Sequence, residues 1–289
     1  MKKLRIAIVV FFVIVAAIFG VRRVHEELTA DYSAPVIQSI NDHIEASVKV
    51  TDQELLVGMG TGDNLDGNVN ETLMVVSKSK FIQKGTRYVN YAAFDQSNNV
   101  GTYTRVLTYT DYVSPHFSIH EPLVFLAGSS QTDILRNVEA YDCLDGNITS
   151  QIMLTWGASQ PISESAQAQT INLQVTNSAG DTSTLELQAL SEDYETYYRQ
   201  SPHLKDYVIY VKVGEQPDYR SYIDGIWNGS KRALKDTEFD VNTDFQIDSS
   251  AVDLYTPGSY TVTYSLSRAL ADGTRQPLGT TVMYVEVEE

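Results

Sequence analysis

The strongest constraint on this chain is a phrase written twice. "DNLDGNVN" begins at Asp63, and "DCLDGNIT" begins at Asp142. An alternating run follows each phrase. Val89, Tyr91 and Ala93 alternate with Tyr88, Asn90 and Ala92; after the second phrase, Ile171, Leu173 and Val175 alternate with Asn172 and Gln174. A third run, Tyr260, Val262, Tyr264 and Leu266 spaced by Thr261, Thr263 and Ser265, lies nearer the C-terminus. Alternation with period two means strands with one face in a core and one in water. A pattern that recurs this way requires a small strand-rich unit used repeatedly rather than one large core.

Each run ends in a polar turn, at Asp95 to Asn99, Asn177 to Asp181 and Ala271 to Gly273, and a second strand pattern follows at Val106 to Tyr109, Leu185 to Leu190 and Val282 to Val287. Asn, Asp and Gly tolerate the positive φ of tight hairpins. The first two units open alike, with Pro35-Val36-Ile37 and Pro115-His116-Phe117. The expectation is an all-β chain of three tandem sandwiches, over 35–111, 112–191 and 203–289, joined by a linker at 192–202.

The phrase "DNLDGNV" followed by "KGTRYVNYAAFDQSNN" resembles the bacterial immunoglobulin-like domains first named for a pesticidal crystal protein, and "VDLYTPGSYTVTY" in the third unit resembles the second half of their pattern. Four departures mark the copies: Arg87 stands where the family has Tyr, Asn98 stands where it has the turn Gly, the second unit keeps Asp142, Asp145, Gly146 and Asn147 but loses the G-x-Y, and the third unit has "PDYRSYIDGI" and a longer insert in place of the D-G-N loop. The resemblance implies immunoglobulin-like sandwiches from residue 35 to 289. It says little about function, because such modules serve as spacers, binding units and enzyme appendages.

The segment 1–23 differs in kind. Lys2, Lys3 and Arg5 precede an uncharged run from Ile6 to Val21, closed by Arg22 and Arg23. As a helix this run is about 24 Å long, close to the hydrocarbon thickness of a bilayer once the flanking arginines snorkel. The basic flank places the N-terminus inside. A cleaved signal peptide is the competing reading; the pair of arginines and the lack of an A-x-A-like site favour an uncleaved single-pass anchor, with residues 24–34 as juxtamembrane linker and everything beyond exported. The expected location is the cell membrane, with the membrane itself the partner of residues 6–21.

Beyond the anchor the chain keeps 16 basic and all 37 acidic residues, a net charge of −21. So acidic a surface repels nucleic acid and attracts cations. Cys143 is the lone cysteine, so no intrachain disulfide forms and hydrophobic cores must hold each unit together. Asp63, Asp66, Asp142 and Asp145 could supply oxygens to calcium in the repeated loops, although Leu65 and Leu144 occupy the third position that an EF-hand fills with an oxygen donor. The alternative is turn chemistry: Asp66-Gly67 and Asp145-Gly146 make the bend while Leu65 and Val69, or Leu144 and Ile148, point into the core. The turn reading needs no cofactor, and calcium is the one cofactor the alternative would bring.

Signatures of catalysis are lacking. The sequence contains no G-x-S-x-G, H-E-x-x-H, P-loop or C-x-x-C, and the S-x-x-K at Ser77 to Lys80 stands without its partner motifs. His116 and His120 fall on a strand pattern, roughly 13 Å apart, too far to share a zinc ion. Seven tyrosines crowd into residues 194–222. Of these, Tyr194, Tyr197, Tyr198, Tyr219 and Tyr222 are the candidates for stacking on sugar rings or anchoring a partner, and filling the seam between units is the alternative. The functional expectation is a non-catalytic surface protein, a spacer, adhesion or ligand-binding array for an extracellular protein or glycan. The competing expectation is an exported cell-wall or polysaccharide-active enzyme.

Overall fold

The computed structural model describes residues 2–129, 131–156 and 167–289. The chain divides into two compact units, Met1–Asp111 and Tyr112–Glu289.

The first unit begins with helix α1 (Lys2–Thr29), whose apolar stretch Ile8–His25 is long and apolar enough to cross a membrane and has none of its surface buried. At 28 residues it is about 42 Å long. It continues past the apolar run into the expected linker, since no Gly or Pro interrupts residues 22–29 and Arg23 pairs with Glu27 one turn on, at 3.7 Å. The first repeat follows: β1 (Val36–Ser39), β2 (His43–Ala46), β3 (Met59–Gly62), β4 (Met74–Gln83), β5 (Thr86–Phe94) and β6 (Val100–Tyr109). They form a small sheet, β1-β3, and a larger one in the order β2-β6-β5-β4, with β2 parallel to β6.

The second unit holds two more copies of the same plan. One contains β7 (His116–Ile119), β8 (Val124–Leu126), the short helix α2 (Gln131–Leu135), β9 (Val138–Asp142), β10 (Gly146–Asn147), β11 (Met153–Trp156), β12 (Gln167–Thr176) and β13 (Thr182–Glu192). After helix α3 (Tyr194–Tyr197) comes the other, with β14 (Ser201–Leu204), β15 (Val208–Lys212), β16 (Ile223–Trp227), β17 (Lys231–Ala233), β18 (Phe245–Asp248), β19 (Gly258–Ala269) and β20 (Arg275–Glu288). Their small sheets run β10-β9-β7 and β14-β16-β17; their larger ones run β11-β12-β13-β8 and β15-β20-β19-β18. In each, the second strand pairs parallel to the last, β8 to β13 and β15 to β20, as β2 does to β6. The architecture is all-β, in repeated sandwiches behind one apolar helix.

The alternating runs explain the cores. Val89, Tyr91 and Ala93 on β5, Ile171, Leu173 and Val175 on β12, and Val262, Tyr264 and Leu266 on β19 are all buried, and each strand forms a hairpin with the next, as registers Val89↔Arg105, Leu173↔Leu185 and Val262↔Met283 show. The three hairpin turns share a left-handed residue: Gly180 at φ 87, Gly273 at φ 84, and Asn98 at φ 65. Asparagine substitutes for glycine there because its short side chain tolerates that conformation. Tyr91 and Tyr264 also do equivalent work. Each sends its hydroxyl to a carbonyl of the short turn that crosses between sheets, Leu55 at 3.1 Å and Tyr219 at 2.8 Å.

Repeats two and three share one continuous buried cluster, running from Phe117 to Val287. Strand β7 is an edge, and its outward backbone groups are satisfied by the third repeat. Phe117 N–H donates to the Tyr210 hydroxyl at 2.9 Å, and Tyr207 N–H donates to the Ile119 carbonyl at 2.8 Å. On β13, Gln188 N–H lies beyond the reach of β8 and donates to the Tyr284 hydroxyl at 2.7 Å. Tyr210 further stacks on His116 with centroids 3.7 Å apart. Unpaired edge groups are costly when buried, so these tyrosines fix how the two repeats pack.

Candidate functional site

The two D-G-N phrases have the same geometry. In the first, Asp63 Oδ1 accepts from Leu65 N and Asp66 N, both at 2.9 Å, and these amides hold its carboxyl below the usual range. In the second, Asp142 Oδ1 accepts from Leu144 N at 2.8 Å and Asp145 N at 3.0 Å. Gly67 and Gly146 then take φ 69 and 71. The second aspartate of each phrase reaches across to the hairpin turn: Asp66 Oδ2 accepts from Gln96 N at 2.8 Å, and Asp145 accepts from Ser178 N and its hydroxyl at 2.6 and 2.7 Å. The phrase therefore clamps the loop to the β5–β6 or β12–β13 turn. Val69 and Ile148 are buried as expected, but Leu65 is 68% exposed, a departure from its expected place in the core. The carboxylate on either side already aligns the bend by hydrogen bonds, so the loop apex projects outward.

Asp63 and Asp142 differ in what faces their second oxygen. In repeat two, Asn177 donates its amide to Asp142 Oδ2 at 3.0 Å and to the Tyr112 hydroxyl at 2.8 Å, while Asp181 accepts from the hydroxyls of Tyr112 and Ser114 at 2.7 Å. In repeat one, the position equivalent to Asn177 is Asp95, which likewise opens the hairpin turn. Asp31, Asp63 and Asp95 each bring a carboxylate oxygen within 4.8 Å of the others. Asp95 is buried and accepts from Asn99 N and Nδ2, whereas Asp31 Oδ2 and Asp63 Oδ2 are buried with no hydrogen-bond partner among the described residues. Three carboxylates are a cation-attracting group short of the six to eight oxygens calcium takes. Asp66 and Asp145, engaged by the turn amides, are not in it.

Of the five candidate tyrosines, the structure brings three together. Asp193 caps α3 by accepting from Thr196 N at 2.9 Å, which fixes the helix that carries Tyr194 and Tyr197. Tyr194 and Tyr198 lie with ring centroids 4.6 Å apart, Tyr197 meets Tyr198 edge-on at 5.0 Å, and Tyr197 meets Trp227 edge-on at 6.4 Å. The Tyr198 ring rests over Gly229, where a Cβ would fall 2.3 Å from it. Gly229 also sits at φ 84 in the β16–β17 turn, so glycine is required twice over. Tyr194 and Tyr198 remain 70% and 44% exposed. Tyr219 and Tyr222 lie on the short turn Tyr219–Tyr222 against the core of repeat three, where burial raises their phenol pKa values, and no ring contact joins them to the other three among the described residues.

Behind this platform lies His203, 2% exposed, between the rings of Trp227 and Tyr207, each centred 6.0 Å away. Glu121 Oε2 is 3.7 Å from its Nε2 and Asp224 Oδ2 is 3.9 Å from its Nδ1, beyond hydrogen-bond reach, and neither ring nitrogen has a hydrogen-bond partner among the described residues. Burial, aided by the nearby Lys231 ammonium, pushes the imidazole pKa down to about 4. A cleft of about 390 Å³ opens beside Tyr197 and Trp227, and Glu192, Thr196, Arg199 and Ser201 are among its walls. Neither Trp227 nor His203 stands out in the sequence; only the fold brings them behind the tyrosines.

His116 and His120 go separate ways, to Glu288 at 3.0 Å and to Asp206 at 3.0 Å. His120 Nε2 also lies 2.9 Å from the Ser118 hydroxyl, while its Nδ1 faces both the Lys205 carbonyl and Asp206 at 3.0 Å, so Ser118, His120 and Asp206 stand in the order of a nucleophile, base and acid, with the Lys205 carbonyl competing for the imidazole. His120 is exposed, and Ser118 is embedded in the β7–β9 ladder opposite Glu139. None of the three lines the cleft beside Tyr197 and Trp227. Cys143 donates its thiol to the Val113 carbonyl at 3.1 Å.

No family model matches the chain. It is 27% identical over 132 residues to an uncharacterized 81.3 kDa protein of Acholeplasma phage L2, a match covering 43% of this chain and 18% of that relative's length. Among solved structures it is similar to the M60 catalytic domain with two CBM51 domains from Clostridium perfringens ZmpB, at 12% identity and a TM-score of 0.20, covering 88% of this chain and 30% of that one. Mouse cadherin-23 EC22-24 gives 11% identity and a TM-score of 0.21, covering 88% and 99%. Protocadherin gammaB4 gives 9% and 0.20, covering 88% and 49%. These are similarities to chains of β domains and carry no functional argument.

Proposed function

We propose that this chain is a non-catalytic, membrane-anchored protein of a bacterial surface, in which tandem immunoglobulin-like sandwiches present a ligand surface outside the cell. The observation that carries the reading is α1: its apolar stretch has none of its surface buried, and a bilayer is the medium that removes such a surface from water. Lys2 and Arg5 precede that stretch, which favours a cytoplasmic N-terminus and an external acidic remainder. Within the second unit, the Tyr194, Tyr197 and Tyr198 platform supplies exposed aromatic area on a fixed support, as a binding surface for an extracellular glycan or protein requires.

Protease applied to intact cells tests the location: fragments from residues 30–289 should be released while α1 stays with the membrane. Release of nothing, or recovery of the whole chain from the medium, overturns the anchor. The Ser118, His120 and Asp206 alignment favours the enzyme reading, and it has its own test. A fluorophosphonate probe should leave Ser118 unlabelled, because an exposed His120 and a Ser118 held in a strand ladder offer no preorganised donors for an oxyanion among the described residues. Labelling at Ser118 that disappears in His120→Ala would replace the binding reading with a hydrolase.

A further inference from the structure

Resting on the reading that the second unit carries a ligand surface, we infer that the platform of Tyr194, Tyr197 and Tyr198 binds a neutral saccharide. A sugar ring has a face of C–H bonds and a rim of hydroxyls, so its site needs an aromatic face beside short polar groups. Both are present: Tyr194 and Tyr198 are exposed, and the adjoining cleft at Tyr197 and Trp227 is walled by Thr196, Ser201, Glu192 and Arg199. The Trp227 indole N–H is buried with no acceptor among the described residues, a donor in want of an oxygen.

The rings are held rather than loose. Tyr198 is seated on Gly229, Tyr197 is wedged against Trp227, and the helix carrying Tyr194 and Tyr197 is capped by Asp193. A platform fixed before binding loses little side-chain entropy when a ligand arrives.

Size and charge select among occupants. At 70% and 44% exposure, the two outer rings offer roughly 250 Å² of contact, well short of the ~800 Å² per partner of a stable protein interface. A few sugar residues match that area. Beyond Arg23 the chain carries 16 basic against 37 acidic residues, and the Glu192 carboxyl beside the cleft is pushed up by burial and by the neighbouring Asp193 charge. An anionic glycan would meet repulsion there, so the saccharide is neutral.

Native electrophoresis of the full chain, held in a detergent without a sugar headgroup, tests this in gels containing dextran, mannan, xylan or glycol chitin, with alginate as the anionic control. Retardation at least twofold beyond the plain gel is expected in one or more neutral gels. It should vanish in Tyr194→Ala with Tyr198→Ala and persist in Tyr255→Ala, which removes an exposed ring elsewhere in repeat three. Tyr194→Ala alone, at a ring that is mostly exposed, guards against misfolding and should weaken retardation several-fold. In a Trp156→Phe background Trp227 is the sole indole, and its emission should shift on adding the retarding polysaccharide. Mobility unchanged in every neutral gel, retardation by alginate alone, or binding that survives the double variant overturns the inference. None of these results bears on protease release from cells, so the two readings fail independently.

Discussion

Replacing His203 with phenylalanine should flatten the acid limb of stability for the second unit. The side chain is 2% exposed, and its pKa is pushed from 6.5 to about 4 because burial penalises the imidazolium, with Lys231 adding to the penalty and Asp224 opposing it. With the folded value below the unfolded one, the neutral ring's stabilisation is complete above pH ~6.5 and is lost as the unfolded chain takes up a proton that the native state refuses. The gap between the two values corresponds to ~3 kcal/mol once the pH has fallen below 4, and to about 2 kcal/mol at pH 5. Glu121, pushed upward by burial, contributes with the opposite sign, and Asp224 and Lys231 also face the ring, so comparison with the variant isolates the imidazole. Both tryptophans, Trp156 and Trp227, belong to the second unit, so urea unfolding followed by their emission reports on it alone. His203→Phe keeps an aromatic ring beside Trp227 and should show ~2 kcal/mol less loss between pH 7 and 5 than the parent. Parallel pH profiles for the two proteins, or an NMR titration midpoint for His203 at or above 6, would refute the reasoning.

Particular contacts give three further outcomes. Tyr210→Phe leaves the Phe117 N–H on the β7 edge without its acceptor and should destabilise the second unit by about 1–2 kcal/mol in the same urea assay, without altering the first. Asn98→Ala forces a β-carbon into the left-handed turn at φ 65 and should cost the first unit about 1 kcal/mol by calorimetry, whereas Asn98→Gly should be close to neutral. In a chelator, Asp95→Asn should raise the melting temperature of the first unit, since the amide can donate to Asp63 as Asn177 does to Asp142; a lower midpoint would mean that the contacts of Asp95 with Asn99 outweigh the repulsion among the three carboxylates.

The strand pattern was legible because period-two alternation reports a local fact, which face of a strand meets the core, and Val89, Leu173 and Val262 obey it wherever the repeat is placed. Turn chemistry was legible for the same reason: Asn98, Gly180 and Gly273 occupy one conformation through residue type alone. Contacts between repeats were not, because the alternation that marks Tyr210 or Tyr284 as facing away from its own sheet is silent about what lies opposite. The seven crowded tyrosines look alike in sequence, yet Tyr207 and Tyr210 close the seam, Tyr219 and Tyr222 sit on a turn, and Tyr194, Tyr197 and Tyr198 form the platform.

The D-G-N phrase shows where local reading stops. Its own hydrogen bonds are the same in both copies, from the Asx turn at the first aspartate to the clamp at the second, so the phrase by itself cannot distinguish a closed polar network from a group of facing charges. The distinction is made by one residue in the hairpin turn beyond it. With Asn177 there, an amide bridges Asp142 and Tyr112; with Asp95 there, a third carboxylate faces Asp31 and Asp63 and leaves two buried oxygens without donors. Buried oxygens without donors weigh on stability more than exposed ones. The two repeats, alike in backbone, should therefore respond in opposite senses to an exchange at this one position: Asp95→Asn relieves the first, whereas Asn177→Asp burdens the second.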